Sequence, residues 1–156
     1  MAGMLGEFEC TLDAKGRIMV PAQLMRQVPA AARKKFVINR GFEGCLVLYP
    51  RNVWEIESAA VNRLNMYEKQ NRDFVRAFMN GATELALDGQ SRLLLPRNLL
   101  DYAGIDKDVL LFAFGNRVEV WSPKSYRKMI KTAPEEFAAL AEKVMGGKNQ
   151  DKNDKT

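Results

Sequence analysis

Residues 12–24 read LDAKGRIMVPAQL, and residues 87–99 read LDGQSRLLLPRNL. Leucine, aspartate, arginine, proline and leucine recur at five matched positions, and apolar residues match at three more. A short alternating run leads into each aspartate, EFECTL at 7–12 and ELAL at 84–87, and an apolar run follows each arginine, RIMV at 17–20 and RLLL at 92–95. Alternation with period two marks a half-buried strand, and Asp with Gly between two such runs is turn chemistry. Each copy therefore predicts strand, turn, strand. Pro21 and Pro96 then stand where a helix begins, since a missing N–H costs nothing at the first helical position. AQLMRQV would stop before Pro29, and RNLLDYA at Gly104. Two further strands close each copy: KFVINR and CLVLYP joined through GFEG, then VLLFAF and VEVW joined by a GN turn.

The order ββαββ thus occurs twice. The copies are 75 residues apart at the aspartates and 72 at the strands ending in Tyr49 and Trp121, so a short loop difference suffices. The reading divides the chain into a first repeat (7–54), a helical link (55–82) stopped by Gly81, a second repeat (83–126), a C-terminal helix (127–146) and a polar, disordered tail (147–156). Ser122 would cap the last helix with Pro123 at its first position. In 156 residues each copy is too small to bury much core alone, so the two must share one. The expected class is mainly β with helices, an α+β fold.

Composition narrows the function. The net charge is +5, spread as 11 basic and 8 acidic side chains in residues 1–75 and 13 and 11 in the remainder, which weakly favours an anionic partner without making either half a polycation. Histidine is absent, which removes Ser-His-Asp triads, Cys-His pairs and imidazole metal clusters. No Gly-rich nucleotide loop occurs. We expect no enzyme, cofactor, metal or small-molecule substrate. Two cysteines are too few for a disulfide scaffold, and no apolar run is long enough for a leader or membrane span, so the expected location is cytoplasmic, without a membrane partner. Cys10 alternates with Phe8 and Leu12 and reads as a core-facing thiol.

In the repeated motif, Asp13 opens a turn that Arg17 closes, and Asp88 and Arg92 do the same. A carboxylate there accepts turn N–H groups and pairs with its arginine. Gly16 allows positive φ, so Lys15 and Arg17 could reach phosphates or a guanine edge from a compact loop. The second copy has Gln90 and Ser91 in place of Lys15 and Gly16, and Gly89 is its candidate flexible position. Arg17 is accordingly the main candidate reading residue and Arg92 a secondary contact.

GEFECTLDAKGRIMVPAQL, the second D-x-x-x-R copy in LDGQSRLLLP, and the LVLYP and VEVW strands together resemble the MraZ family, from about residue 4 to about residue 145. The resemblance implies an AbrB-like, swapped-hairpin β-barrel made from two interleaved repeats. It further implies a sequence-specific transcriptional regulator of the division and cell-wall gene cluster, nucleoid-associated, whose subunits form homo-oligomeric rings. Such rings bind short direct repeats in double-stranded promoter DNA, including the promoter of their own gene. Arg17 and Lys15 match the family's DNA-contacting loop and Arg92 its counterpart, with Ser91 departing from the family's usual glycine. Met4 matches the usual start, leaving Met1–Gly3 as an extension.

Two other readings compete. Duplicated Asp13 and Asp88 could form a carboxylate dyad of the aspartic-protease kind, with one strongly raised pKa. An AbrB-like fold could instead be an antitoxin-type protein-interaction module. An RNA-binding sheet is disfavoured by the lack of a run of stacking aromatics, with Trp54 and Trp121 read as packing or subunit contacts.

Overall fold

The computed structural model of the protein describes residues 3–147. In chain order the first repeat forms β1 (Met4–Thr11), β2 (Arg17–Met19), α1 (Ala22–Met25), β3 (Lys35–Arg40) and β4 (Leu46–Pro50). Two helices follow, α2 (Arg51–Asn62) and α3 (Lys69–Met79). The second repeat forms β5 (Thr83–Ala86), β6 (Arg92–Leu94), α4 (Arg97–Tyr102), β7 (Asp108–Gly115) and β8 (Arg117–Trp121), and α5 (Pro123–Met129) and α6 (Pro134–Ala141) close the described chain.

The strands explain why the motif is written twice. The main sheet runs β1-β7-β8-β4-β3-β5, and β2 pairs with β6 in a separate ribbon. Every pairing shown is antiparallel. The first strand of each copy lies beside the third strand of the other: β1 on β7, from Met4 opposite Gly115 to Thr11 opposite Asp108, and β5 on β3, from Lys35 opposite Ala86 to Ile38 opposite Thr83. Neither copy can complete its ladder bonds alone. Matched backbone bonds carry the pseudo-twofold into the loops: the Leu12 N–H donates to Lys107 O at 2.8 Å and the Leu87 N–H to Lys34 O at 2.9 Å.

Among the described residues the sheet is open, with β1 and β5 as edges, rather than the closed barrel implied by the resemblance. The reason lies in β2 and β6, three residues each, whose ladder bonds go to each other. Inward from the ribbon, Ile18 and Leu93 are wholly buried at the centre of a core that includes Leu24, Leu99, Ile38 and Leu111. β4 is buried along its whole length, Leu46 and Leu48 on the main core and Val47 and Tyr49 on a second cluster with Val53 and Trp54. Cys10 is half-buried against the main core, as its alternation predicts.

Helix boundaries depart from expectation where side chains or prolines redirect the chain. Pro21, Pro50 and Pro96 each stand one residue before their helix, with extended ψ of 136°, 144° and 135°, and so turn the strand or loop before them into the helix. The helical link is broken between α2 and α3, where the Asn65 carboxamide accepts the Tyr67 N–H at 3.0 Å and offers the backbone a turn instead. Gly81 stops α3 with φ of 94°, and a Cβ there would lie 2.7 Å from Leu99 Cδ2. Gly104, at φ 64°, ends α4 in a Schellman motif: its N–H donates to Asp101 O and that of Ile105 to Leu100 O. Ser122 caps α5 by accepting the Ser125 N–H at 3.1 Å.

From residue 127 onward the described chain separates from the rest as a second unit. The single helix expected at 127–146 is interrupted there, because Pro134 holds Ala133 extended at ψ 150°. α6 continues as a π-helical turn, Glu142–Gly146, and Phe137, Leu140, Val144 and Met145 on this segment are exposed. The expected tail, but for Gly147, lies outside the described residues. Among those described, no helix is long and apolar enough to cross a membrane.

Candidate nucleic-acid interface

Both copies of the motif build the same turn. Asp13 Oδ1 accepts the N–H groups of Lys15 and Arg17, each at 2.9 Å, and its Oδ2 accepts Arg17 Nε at 2.7 Å. In the second copy Asp88 Oδ1 accepts the N–H groups of Gln90 and Arg92 at 2.9 Å, and its Oδ2 accepts Arg92 Nε at 2.8 Å. Backbone bonds close the loops identically, Gly16 N–H to Asp13 O and Ser91 N–H to Asp88 O. Hydrogen bonds to an ionised carboxylate favour the ionised form. The Arg17 N–H bond and then the Arg17 guanidinium hold the Asp13 carboxyl down at about 2, and Asp88 is lowered by the same contacts from Arg92.

The geometry does not favour the dyad reading, since each carboxylate is bonded within its own turn and to its own arginine. Two carboxylates sharing a site would drive one pKa up, whereas both are driven down, each by its own arginine. Gly89 is corrected too. The left-handed residue of the second turn is Ser91, at φ 59°, the counterpart of Gly16 at φ 86°. Gly89 has no left-handed φ, and a Cβ on it would meet nothing within 4 Å. The turn geometry, with three bonds to the aspartate carboxylate and two backbone bonds, imposes the conformation whichever residue is present.

The ribbon sets the turns relative to each other. Arg17 lies opposite Leu94 and Met19 opposite Arg92, so the two turns enter from opposite ends of the ribbon. Alternate residues of a strand share a face, and directly paired residues do as well. Arg17, Met19, Arg92 and Leu94 therefore form the outward face, while Ile18 and Leu93 point into the core with no exposure. Diagonal positions across such a pair are about 7–8 Å apart. Because each guanidinium is anchored through Nε, its Nη1 and Nη2 edge is presented without a partner among the described residues. Lys15 is exposed at the tip of the first turn and makes no ion pair among the described residues, and Gln90 takes its place in the second.

Elsewhere the polar chemistry is structural. Trp121 is buried with Cys45, Leu110 and Tyr126, and Trp54 stacks on Phe78 with ring centres 5.9 Å apart, so neither presents a face for stacking bases. Burial first, and then the Glu7 carboxylate that accepts its O–H, push Tyr126 up to about 12. Burial and nearby Glu119 push the Cys45 thiol up to about 12 as well. Among the described residues no group of three His, Cys, Asp or Glu could hold a metal.

Comparison with known proteins bears on the duplicated motif directly. A family model described as "MraZ protein, putative antitoxin-like" matches twice, over residues 4–77 and 78–146. The chain belongs to the MraZ family. Among its relatives, "Transcriptional regulator MraZ" of Christiangramia forsetii is 40% identical over 97% of this chain and 98% of its own length. The proteins of the same name from Flavobacterium psychrophilum and Cytophaga hutchinsonii are 38% and 41% identical, over 97% and 90% of this chain and 97% and 93% of theirs. The two MraZ matches meet between residues 77 and 78, inside α3, so each takes in one Asp-Arg turn. Sequence reasoning missed Met19 and Leu94 as members of this MraZ chain's outward ribbon face. Their signal was available, since each lies two residues from a candidate arginine on the same strand.

Proposed function

We propose that the chain is a DNA-binding transcriptional regulator that reads short direct repeats in promoter DNA, including that upstream of its own gene and of the division and cell-wall cluster. The observation that carries this reading is the pair of Asp-anchored arginines on one face of a two-stranded ribbon. Such a ribbon fits the major groove of B-DNA, where a guanidinium can bond guanine O6 and N7. Arg17 and Arg92 act as base readers and Lys15 as a phosphate contact. The interleaved strand pairing supports an AbrB-like swapped-hairpin architecture for the two repeats. A modest net charge suits a homo-oligomeric ring in which several weak loops face spaced repeats and bind through effective concentration. Exposed Leu5, Phe42, Ile56 and Tyr67 supply apolar surface for such subunit contacts. No catalytic role is assigned.

The test is a titration of fluorescent duplex from the gene's own upstream region against a scrambled duplex, at two salt concentrations. Repeat-dependent binding, with affinity falling as salt rises by roughly 0.9 in log–log slope per phosphate contacted, is the expected result. Equal affinity for both duplexes would contradict sequence reading. A second reading, an antitoxin-type protein-interaction module, is favoured by the exposed stripe Phe137, Leu140, Val144 and Met145; a stoichiometric co-purifying protein in place of DNA binding would support it.

A further inference from the structure

We propose that Met19 and Leu94 read thymine methyl groups in the major groove, beside the bases contacted by Arg92 and Arg17. The inference rests on the DNA-binding function proposed above and names the base chemistry that the ribbon selects. Its starting point is a contrast within the ribbon. The inward pair, Ile18 and Leu93, has no exposure, whereas Met19 and Leu94 on the outward face are 61% and 55% exposed. Large apolar side chains held on a face between two arginines gain little from the fold itself.

Register gives each of them a cationic neighbour. Met19 is directly opposite Arg92, and Leu94 directly opposite Arg17. Directly paired residues have Cβ atoms about 4.5–5.5 Å apart, so each apolar side chain starts next to an arginine on the same face. Each end of the face thus sets a guanidinium donor edge beside an exposed apolar side chain. The DNA major groove offers the complement: O6 and N7 acceptors on guanine and the C5-methyl on thymine. RNA offers neither, since its major groove is too deep and narrow for a ribbon and uracil lacks the methyl. The Nη edges beside the apolar pair, which have no partner among the described residues, together with the Lys15 charge, favour a partner rich in hydrogen-bond acceptors over another apolar protein face.

The experiment replaces thymine with deoxyuridine in the repeats of the upstream duplex, which removes the 5-methyl and leaves the Watson–Crick edge. Wild-type protein should bind the uracil duplex more weakly by about fourfold for each methyl contacted, the worth of one buried methylene. Met19→Ala combined with Leu94→Ala should bind thymine and uracil duplexes equally, with circular dichroism and gel filtration unchanged from wild type. If wild type prefers the repeat to a scrambled duplex but treats thymine and uracil alike, the DNA-binding reading stands and this inference is overturned. If it does not prefer the repeat at all, both are overturned. A double variant that keeps the wild-type thymine preference, or that loses its assembly instead, would move the methyl contact elsewhere or make these residues a subunit contact, and would also overturn it.

Discussion

Asp13 and Asp88 hold their arginines in place before any partner arrives, which divides the labour between the cations. An arginine already paired with a carboxylate brings little net charge but a fixed guanidinium edge, while Lys15, in no ion pair among the described residues, brings charge without geometry. Lys15→Ala should therefore weaken binding to repeat and scrambled duplexes alike and lower the salt slope by about one contact. The acid behaviour of the turn follows from the same bonds. Asp13 sits at about 2 in the folded chain, below the roughly 3.9 of an unfolded aspartate, so its contribution is complete above about pH 4 and lost as pH falls through 2. Amide resonances of Lys15 and Arg17 should stay flat from pH 7 to about 3; a midpoint near 4 would contradict the turn. Ser91 pays for its left-handed φ, so Ser91→Gly should raise stability by about 1 kcal/mol at unchanged denaturant slope, whereas Gly89→Ala should stay within about 0.5 kcal/mol. The aspartate–arginine pairing was legible in the sequence because the four-residue spacing requires it. The strained serine was not, because glycine at 89 offers an easier place for the same backbone and only the second copy's hydrogen bonds exclude it.

At the scale of elements, what holds the ribbon's arginine face outward is the burial of its other side. Ile18 and Leu93 have no exposure and lie in the shared core, so each ribbon strand is pinned through its middle residue. Ile18→Ala should cost about 2–5 kcal/mol in denaturant unfolding, the range for deleting a buried aliphatic side chain that leaves a cavity. Period-two alternation made β1 and β8 readable, whereas β3 and β7 are buried on both faces and read as short continuous apolar runs. The helix interruptions at Asn65 and before Pro134 were harder to see: apolar spacing persists through both, and one side-chain hydrogen bond or one proline restriction overrides it locally. Thiol reactivity follows burial as well. Cys45, at about 12, should resist alkylation at neutral pH in the native protein and react on unfolding.

For the whole molecule, the repeat announces that two halves share a core but does not say which strand crosses to which half. That depends on long-range register, which no local pattern encodes. The crossing has a direct consequence, since β1 depends on β7 and β5 on β3. Residues 4–77 and 78–146 produced separately should each lack a cooperative unfolding transition, and mixing them should restore one. Interleaving also fixes Arg17 and Arg92 on a single face, so the proposed reading surface needs both halves joined. The most direct test of that surface is the ratio of affinities for repeat and scrambled duplexes in Arg17→Ala and Arg92→Ala, each with wild-type circular dichroism and gel-filtration profile. The arrangement predicts that the ratio falls by at least about tenfold in Arg17→Ala and also falls in Arg92→Ala, as expected for loss of bidentate base contacts. A wild-type ratio in the folded Arg17→Ala protein would contradict it.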